Sequence, residues 1–414
     1  MTQKSEALSH YMKTLEICQQ TLSPNHISLA TSYKNMGDYI NELSFYEKEL
    51  ETYRQKPPSD SHDLAQAYKN VGTTYMNMEE YSKAFLFMEK CLEILEKTLS
   101  LSHFQLTEVY SNIGSVYYNI EEYTKSLLFY EKALEIQQQI LPVDDVTSAE
   151  RYNMIGFVYY QMEEYTKAIP FFTKSIEILE KTSPIHDSNL TQFYHNIGVA
   201  HSNIGKYTEA ILFFEKSIEI NERIRIPNHS LLTASYDNIR FAYNALRDYM
   251  KALTVSKKVH HIYEQTFPLN YSLLSVSCNY IAMIYYDMSE YSDALSFLEK
   301  SLSILNEIHS SSHIDLVLCY NNIGSTYHKM GENLKALSFH ERALETNQQL
   351  VPPDLSFMAH SYNKIGLVYM DIEEYSKALL FHEKALELYQ EILPLNHSDI
   401  ESSKQYIENA KNKL

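Results

Sequence analysis

The chain has 414 residues, of which 44% are hydrophobic and 21% charged, a balance typical of a folded protein rather than a disordered one. Its 53 acidic residues outnumber its 35 basic ones, and the formal net charge of −18 disfavours nucleic acid and anionic membrane surfaces as partners. The N-terminal residues lack a signal-peptide pattern, and no apolar run is long enough to span a bilayer. We therefore expect a cytoplasmic protein without membrane insertion.

A 42-residue repeat keeps its phase along most of the chain. Seven successive steps of 42 residues from Gly72 fall on equivalent positions, without insertion or deletion. A fixed period in this range is typical of a stacked array of repeats rather than of one globular domain. The eight equivalent positions, called the glycine column below, are Gly72, Gly114, Gly156, Gly198, Arg240, Ala282, Gly324 and Gly366.

The repeat divides the chain into four predicted parts. Residues 4–26 match the second helix and linker of residues 375–397, so residues 1–26 are predicted to form an N-terminal half-repeat. Residues 27–61 form a shortened repeat that lacks seven residues, about two helical turns, relative to the others. Eight full repeats occupy residues 62–397. The polar segment 398–414 is predicted to be a C-terminal capping helix that ends the stacking.

One repeat, taken from residues 104–145, contains two segments with helical spacing of hydrophobic residues. Residues 106–119 are predicted to form helix A, Glu121-Glu122 a short turn, and residues 123–140 helix B. A linker containing Pro142 ends helix B, because proline cannot continue a helix. Of the eleven prolines in the chain, all but Pro170 fall in such linkers, and Pro170 lies near the start of a helix B, where proline is tolerated.

Glycine, alanine and tyrosine occupy fixed columns of the repeat. Glycine inside helix A costs about 1 kcal/mol relative to alanine, so we expect close helix packing to compensate for it. A small residue follows twelve positions later at every level, from Ala84 to Ala378, and we predict that the two small columns face each other. Tyrosines four residues before the glycine column, and three and nine residues after it, are predicted to pack in the core.

This order of an aromatic residue, a large apolar residue with glycine, a second aromatic residue and then alanine resembles the tetratricopeptide repeat, whose usual unit has about 34 residues. The 42-residue unit, with segments such as 233–239 (TASYDNI) and 132–136 (KALEI), resembles the repeats of kinesin light chain. The resemblance covers essentially all of the chain. It implies an all-α, right-handed solenoid of antiparallel helix pairs in which the A helices line the concave face.

Asparagine recurs two or three residues before the glycine column, on the side of helix A that we expect to be exposed. Its amide both donates and accepts hydrogen bonds, so it can pair with the backbone of an extended peptide. The resemblance to kinesin light chain implies that matching asparagines line a peptide groove, and two tyrosines one turn further along suit apolar anchors. The predicted groove residues are Asn70, Asn112, Tyr118, Asn153, Tyr160, Asn196, Asn238, Asn279, Asn321, Asn322 and Asn363.

One internal stretch reverses the charge of the chain. Between Glu222 and Tyr263 there are seven basic residues and three acidic ones, and Arg240 interrupts the glycine column in the same stretch. One interpretation is a repeat that has drifted and carries solvated charges. The other is a basic landing patch or a flexible joint.

No catalytic, cofactor or metal site is predicted. The sequence contains no HExxH, Walker or GxSxG motif, and its paired glutamates lie in turns at helix starts, where they suit the helix dipole. The four cysteines form no CxxC pair and are expected to be reduced residues of the core.

We therefore predict a non-enzymatic adaptor or scaffold that binds peptide segments of partner proteins, with a motor or signalling complex as a candidate setting. The heptad coiled coil by which a kinesin light chain would join its heavy chain is absent, so association with a motor stays open. One alternative is a regulatory or scaffold portion of a larger enzyme whose catalytic domain is absent from this chain. Another is a structural spacer that binds no peptide. The sequence does not identify the ligand.

Overall fold

The structure is a computed structural model that describes residue 34 and residues 38–54, 61–97, 103–140, 146–182, 188–224, 228–265, 270–307, 313–394 and 396–414. Every regular element in these ranges is an α-helix. The predicted half-repeat at 1–26 lies outside the described residues, as does most of helix A of the shortened repeat. Backbone contacts divide the chain into two compact units, Met1–Ser235 and Tyr236–Leu414.

The helices follow the predicted alternation, with B helices odd-numbered and A helices even-numbered. The first unit contains α1 (Tyr39–Arg54), α2 (Ser61–Asn77), α3 (Tyr81–Lys97), α4 (His103–Asn119), α5 (Tyr123–Ile140), α6 (Val146–Gln161), α7 (Tyr165–Thr182), α8 (Ser188–Asn203) and α9 (Tyr207–Arg223). The boundary between units falls within α10 (His229–Ala245). The second unit continues with α11 (Tyr249–Gln265), α12 (Tyr271–Asp287), α13 (Tyr291–Glu307), α14 (His313–Lys329), α15 (Asn333–Gln348), α16 (Leu355–Asp371), α17 (Tyr375–Ile392) and α18 (Ser398–Lys411).

Within each unit the helices pack in the order of the sequence. In the first unit, α2 packs on α3, α4 on α5, α6 on α7 and α8 on α9, and in the second unit α12, α14 and α16 pack on the B helices that follow them. A helices also contact the A helix of the next repeat, as α2 does with α4 and α14 with α16. The A helices of neighbouring repeats therefore form a continuous layer inside each unit.

The turn from helix A to helix B has the same backbone conformation at all eight levels. The residue seven positions after the glycine column has a φ between 59° and 77° each time, and only Gly205 and Gly331 are glycines there. The amide that follows donates to the carbonyl five residues earlier, as Glu122 does to Tyr117 at 2.9 Å. This is the Schellman end of a helix, and Glu121 adopts it with a φ of 63°, in a region that favours glycine.

The glycine column lies against the small-residue column, as Ser126 Oγ donates to the Gly114 carbonyl at 2.8 Å, and it also makes room for a large side chain. A Cβ atom built on Gly156 would lie 2.7 Å from Cε1 of Phe172. The alanine column is fully buried as expected, but the side chain that covers glycine lies one turn further along helix B. That residue is Met88, Tyr130, Phe172, Phe214, His340 or His382 where glycine is present.

Where glycine is missing, its partner in helix B has changed as well. Ala282 belongs to the same core cluster as Leu298, the residue sixteen positions later on helix B, and both are fully buried. At the Arg240 level the corresponding residue is the small Ser256. The Arg240 guanidinium lies 3.8 Å from the ring centroid of Tyr280, and its Nε lies 3.4 Å from Oδ1 of Asp237, so the charge of this half-buried side chain is stacked and paired. The side-chain volume in the glycine column therefore changes together with that of the residue sixteen positions later on helix B.

Candidate functional site

The predicted groove asparagines fall into two groups according to burial. Asn70, Asn112, Asn238 and Asn322 are half-buried, as are Tyr118 and Tyr160. The expectation that the whole set is exposed is wrong for the remaining five asparagines. The buried members are Asn153, Asn196, Asn279, Asn321 and Asn363.

Buried asparagines are occupied by hydrogen bonds between neighbouring A helices. The Asn196 side chain donates from Nδ2 to Oδ1 of Asn153 at 3.0 Å, which joins α8 to α6. In the second unit Asn322 donates to Oδ1 of Asn279 at 3.2 Å, which joins α14 to α12. A buried amide needs such a partner, because an unsatisfied polar group costs about 1–3 kcal/mol. These asparagines therefore hold the repeats in register.

A longer polar chain crosses three helices in the second unit. His340 Nδ1 lies 2.9 Å from Oδ1 of Asn321, and Asn321 Nδ2 donates to Oγ of Ser361 at 2.8 Å. Burial lowers the pKa of His340 to about 3 and that of His382 to about 4, so both imidazoles are neutral near pH 7. Because Asn321 Oδ1 can only accept, Nδ1 of His340 carries the proton. The same chain recurs one repeat later through His382, Asn363 and Ser403.

A cavity of about 450 Å³ opens on the A-helix layer of the first unit. It extends over α2, α4 and α6, so it reaches across three consecutive repeats. Half-buried Asn70 and Asn112 line it, together with hydroxyl groups and the thioether of Met154. This is the part of the predicted groove where two half-buried asparagines line a cavity, and Oδ1 of Asn70 accepts there from Nε2 of Gln66 at 2.8 Å.

Charged side chains of both signs also line this cavity. Lys69 on α2 pairs with Glu108 on α4. Arg151 on α6 is buried and donates through Nε to Oγ of Ser111 at 3.0 Å and through Nη1 to Gln137. Amide and hydroxyl groups line the cavity beside these charges. Such a lining suits an uncharged hydrogen-bonding group such as a peptide backbone.

The two predicted groove tyrosines belong to a second row of contacts near the ends of the A helices. Gln161 Nε2 donates to the Tyr118 hydroxyl at 2.9 Å, and Asn203 Nδ2 donates to the Tyr160 hydroxyl at 3.2 Å. Each pair joins one A helix to the next. The tyrosine rings stay half-exposed, so they can still offer an apolar face.

Sequence reasoning missed the partners that occupy the buried asparagines. Ser361 lies five residues before Gly366, and Ser403 lies one repeat of 42 residues after Ser361; each accepts from an asparagine 40 residues earlier in the chain. The pairs Asn153–Asn196 and Asn279–Asn322 are separated by 43 residues. Polar residues that recur 40 or 43 positions apart, which is one repeat minus two or plus one, are the sequence signal for these pairs.

Family comparison agrees with this architecture. Tetratricopeptide repeat models match residues 64–105, 105–181, 191–223, 272–349 and 320–391, which together make up more than half of the chain. The chain is a tetratricopeptide repeat protein. A comparison with curated proteins gives no match.

Several solved structures share the fold of this tetratricopeptide repeat protein at low sequence identity. The apo form of RapI is 16% identical, with a TM-score of 0.53 over 84% of this chain and 98% of that one. A tetratricopeptide repeat protein from Parabacteroides merdae is 13% identical, with a TM-score of 0.51 over 74% of this chain and 100% of that one. BtubC (BKLC) from P. vanneervenii is 17% identical, with a TM-score of 0.50 over 56% and 94% of the two chains.

Tetratricopeptide arrays act as protein–protein interaction scaffolds, and their fold is typically non-catalytic. This protein is therefore a scaffold for protein interaction. Among the residues that the structure describes, none of the helices combines the length and apolar composition needed to cross a membrane.

Proposed function

We propose that this tetratricopeptide repeat protein is an adaptor that binds extended peptide segments of partner proteins along the A helices α2, α4 and α6. The observation that carries the proposal is the cavity of about 450 Å³ lined by these three helices. Its lining combines amide and hydroxyl groups with charged side chains of both signs, among which Lys69 and Glu108 pair with each other. A 42-residue unit resembling that of kinesin light chain supports the finer proposal of a cytoplasmic adaptor of this kind.

The spacing of the helices fits a ligand in extended conformation. Packed helices lie about 8–10 Å apart, and an extended chain rises about 3.3 Å per residue. Each A helix therefore meets every third residue of an extended peptide. Asn70 on α2 and Asn112 on α4 occupy equivalent positions of consecutive repeats, so their amides can bond to peptide groups that lie three residues apart.

The groove is smaller than the full set of predicted residues. We assign ligand contacts to half-buried Asn70, Asn112, Tyr118 and Tyr160 in the first unit. Asn238 and Asn322 are half-buried members of the same columns, whereas the buried asparagines connect helices. Replacing a buried asparagine is therefore expected to lower stability rather than to report on binding.

The test is to select peptides from a random display library with the full chain and to measure their affinity by fluorescence anisotropy. The variant is Asn112→Ala, whose side chain lines the cavity. Loss of one hydrogen bond, worth about 0.5–1.5 kcal/mol, should weaken binding about two- to tenfold. The matched control is Gln139→Ala, which removes an exposed amide from helix B α5 and should leave affinity unchanged.

Two results would count against the proposal. Equal affinities of the wild type and Asn112→Ala for every selected peptide would place the site on another face. Failure of the library to yield any peptide would favour a structural spacer. Thermal melting of both variants would show that the fold is intact in each comparison.

A further inference from the structure

We propose that the cavity on α2, α4 and α6 receives a basic side chain of the bound peptide, and that the carboxylate of Glu42 on α1 is its partner. The inference rests on the proposed function, because it names the chemistry of one side chain of the same ligand. Glu42 is only 2% exposed and lines the cavity. The four helices belong to the first unit.

The repeat pattern shows that core packing does not require an acid at this position. Glu42 is the fourth residue of α1, as Ala84 is the fourth residue of α3. Position 42 therefore belongs to the small-residue column, which is fully buried in all eight full repeats. Its other members are Ala84, Ser126, Ala168, Ala210, Ala252, Ala294, Ala336 and Ala378.

A second acid on α1 replaces a short side chain in the same way. Glu49 lies seven residues after Glu42, about two helical turns, and is half-buried beside Asn70 of the cavity lining. The equivalent residues of the full repeats are short and buried. They are Cys91, Ala133, Ser175, Ser217, Val259, Ser301, Ala343 and Ala385.

The buried carboxylate of Glu42 is incompletely satisfied. Its Oε2 atom is buried and has no hydrogen-bond partner. Burial raises the pKa of Glu42, and the nearby Lys34 charge and Thr74 hydroxyl offset part of that effect. A buried carboxylate without a full set of partners is unfavourable, and a cation that bonds to it removes this cost. Glu42 is therefore suited to a positively charged group that arrives with a ligand.

The bases that already line the cavity leave this role open. Lys69 pairs with Glu108, and Arg151 is buried and hydrogen-bonded to neighbouring helices. Lys34 acts on Glu42 through its charge, but it is exposed, and solvent weakens such an interaction. A cation inside the cavity would interact with Glu42 more strongly than Lys34 does.

Lysine and arginine side chains have the chemistry that this position needs. An ammonium group offers three hydrogen-bond donors and a guanidinium group five, whereas a carboxylate only accepts. The net charge of −18 also favours the approach of a basic segment. The expected ligand is an extended peptide with one Lys or Arg at a fixed position, next to the peptide groups that bond to Asn70 and Asn112.

The test begins with two parallel selections from one random peptide display library, using the full chain as wild type and as Glu42→Gln. Glutamine keeps the shape of the side chain and removes its charge. Peptides selected by the wild type should share a Lys or Arg at one aligned position, and peptides selected by Glu42→Gln should not. A selected peptide is then synthesised with fluorescein and an acetylated N-terminus, so that the basic side chain supplies the cation.

Anisotropy then compares this peptide with a copy in which norleucine replaces the basic residue. We expect Glu42→Gln to weaken binding of the basic peptide about tenfold or more, and the norleucine copy to bind both proteins equally well. The matched control is Glu89→Gln, which makes the same charge change at an exposed position of helix B α3 and should leave affinity unchanged. Equal affinity for the norleucine copy would also show that Glu42→Gln is folded.

Three results would overturn this inference while leaving the proposed function in place. They are selected peptides without a shared basic position, equal affinity of the wild type and Glu42→Gln for the basic peptide, and equal losses in Glu42→Gln and Glu89→Gln. The third would attribute the effect to net charge. Failure of the wild type to select any peptide would instead contradict the proposed function, and this inference with it.

Discussion

The pairing of glycine with a bulky residue can be tested by a double substitution at Gly156 and Phe172. In Gly156→Ala, the new methyl group would lie 2.7 Å from Cε1 of the Phe172 ring. That ring is nearly fully buried and meets Phe157 edge-on, with centroids 6.0 Å apart, so it has little room to move. Overpacking of this kind costs about 1–3 kcal/mol.

Two opposing effects set the change in the free energy of unfolding on Gly156→Ala. Alanine improves helix propensity by about 1 kcal/mol over glycine, so the net loss for Gly156→Ala is expected to be about 0–2 kcal/mol. Phe172→Leu alone should cost about 1 kcal/mol through lost contacts. In the double variant the clash disappears, as it does at the native Ala282 and Leu298 pair, where both residues are fully buried.

The measurement is the free energy of unfolding in urea, followed by circular dichroism, for the wild type, both single variants and the double variant. We expect a favourable coupling free energy of about 1–3 kcal/mol between the two sites. Strictly additive effects would refute the account, because they would mean that Phe172 does not occupy the space above Gly156. Stabilisation by Gly156→Ala alone would refute it as well.

Two further predictions concern stability. Glu121→Gly should raise the free energy of unfolding by about 1 kcal/mol, because Glu121 has a positive φ that glycine adopts without strain. Gly205→Ala should lower it by a similar amount for the same reason. Opposite shifts of the thermal melting temperature would check both. Burial depresses the pKa values of His340 and His382, so the stability they contribute is fully present above pH 6.5 and is lost as the pH falls towards 4. Each of the two histidines should lower the free energy of unfolding by about 2 kcal/mol at pH 5 relative to pH 8. A His340→Phe/His382→Phe variant should therefore show a shallower pH dependence of its urea midpoint. An unchanged pH dependence would contradict the burial of neutral imidazoles.

The helical register was predictable from the sequence because the repeat imposes it. In the repeat of residues 104–145 the sequence predicts helix B at 123–140, and the helix is found at Tyr123–Ile140. Proline positions marked the linkers, and an unbroken period fixed the remaining levels. Local chemistry was sufficient here, since each helix repeats the same contacts with its neighbours.

The burial of the asparagines was not predictable from one helix alone. A residue two or three positions before the glycine column lies beside the next A helix, and its exposure depends on what that helix carries. Asn321 is buried because His340 and Ser361 complete its hydrogen bonds, whereas Asn112 faces a cavity. The same residue type therefore serves stability at one level and is available to a ligand at another.

The small-residue column is predictable as a neighbour of the glycines, but the bulky residue beside them is not. A glycine inside a helix is equally compatible with a small neighbour and with a large side chain that occupies the missing Cβ space. The correlated change from Gly156 with Phe172 to Ala282 with Leu298 was visible in the sequence. It becomes interpretable only when the crossing of helices A and B is known.

The most direct test of the central claim is site-specific photo-crosslinking with a peptide selected by the full chain. Benzoylphenylalanine would replace Tyr118, which is half-buried on A helix α4, or Leu128, which is exposed on B helix α5. Mass spectrometry would then measure the crosslinked fraction. Crosslinking from position 118 and not from position 128 is the predicted result. Efficient crosslinking from position 128, with none from position 118, would contradict a peptide groove on the A helices.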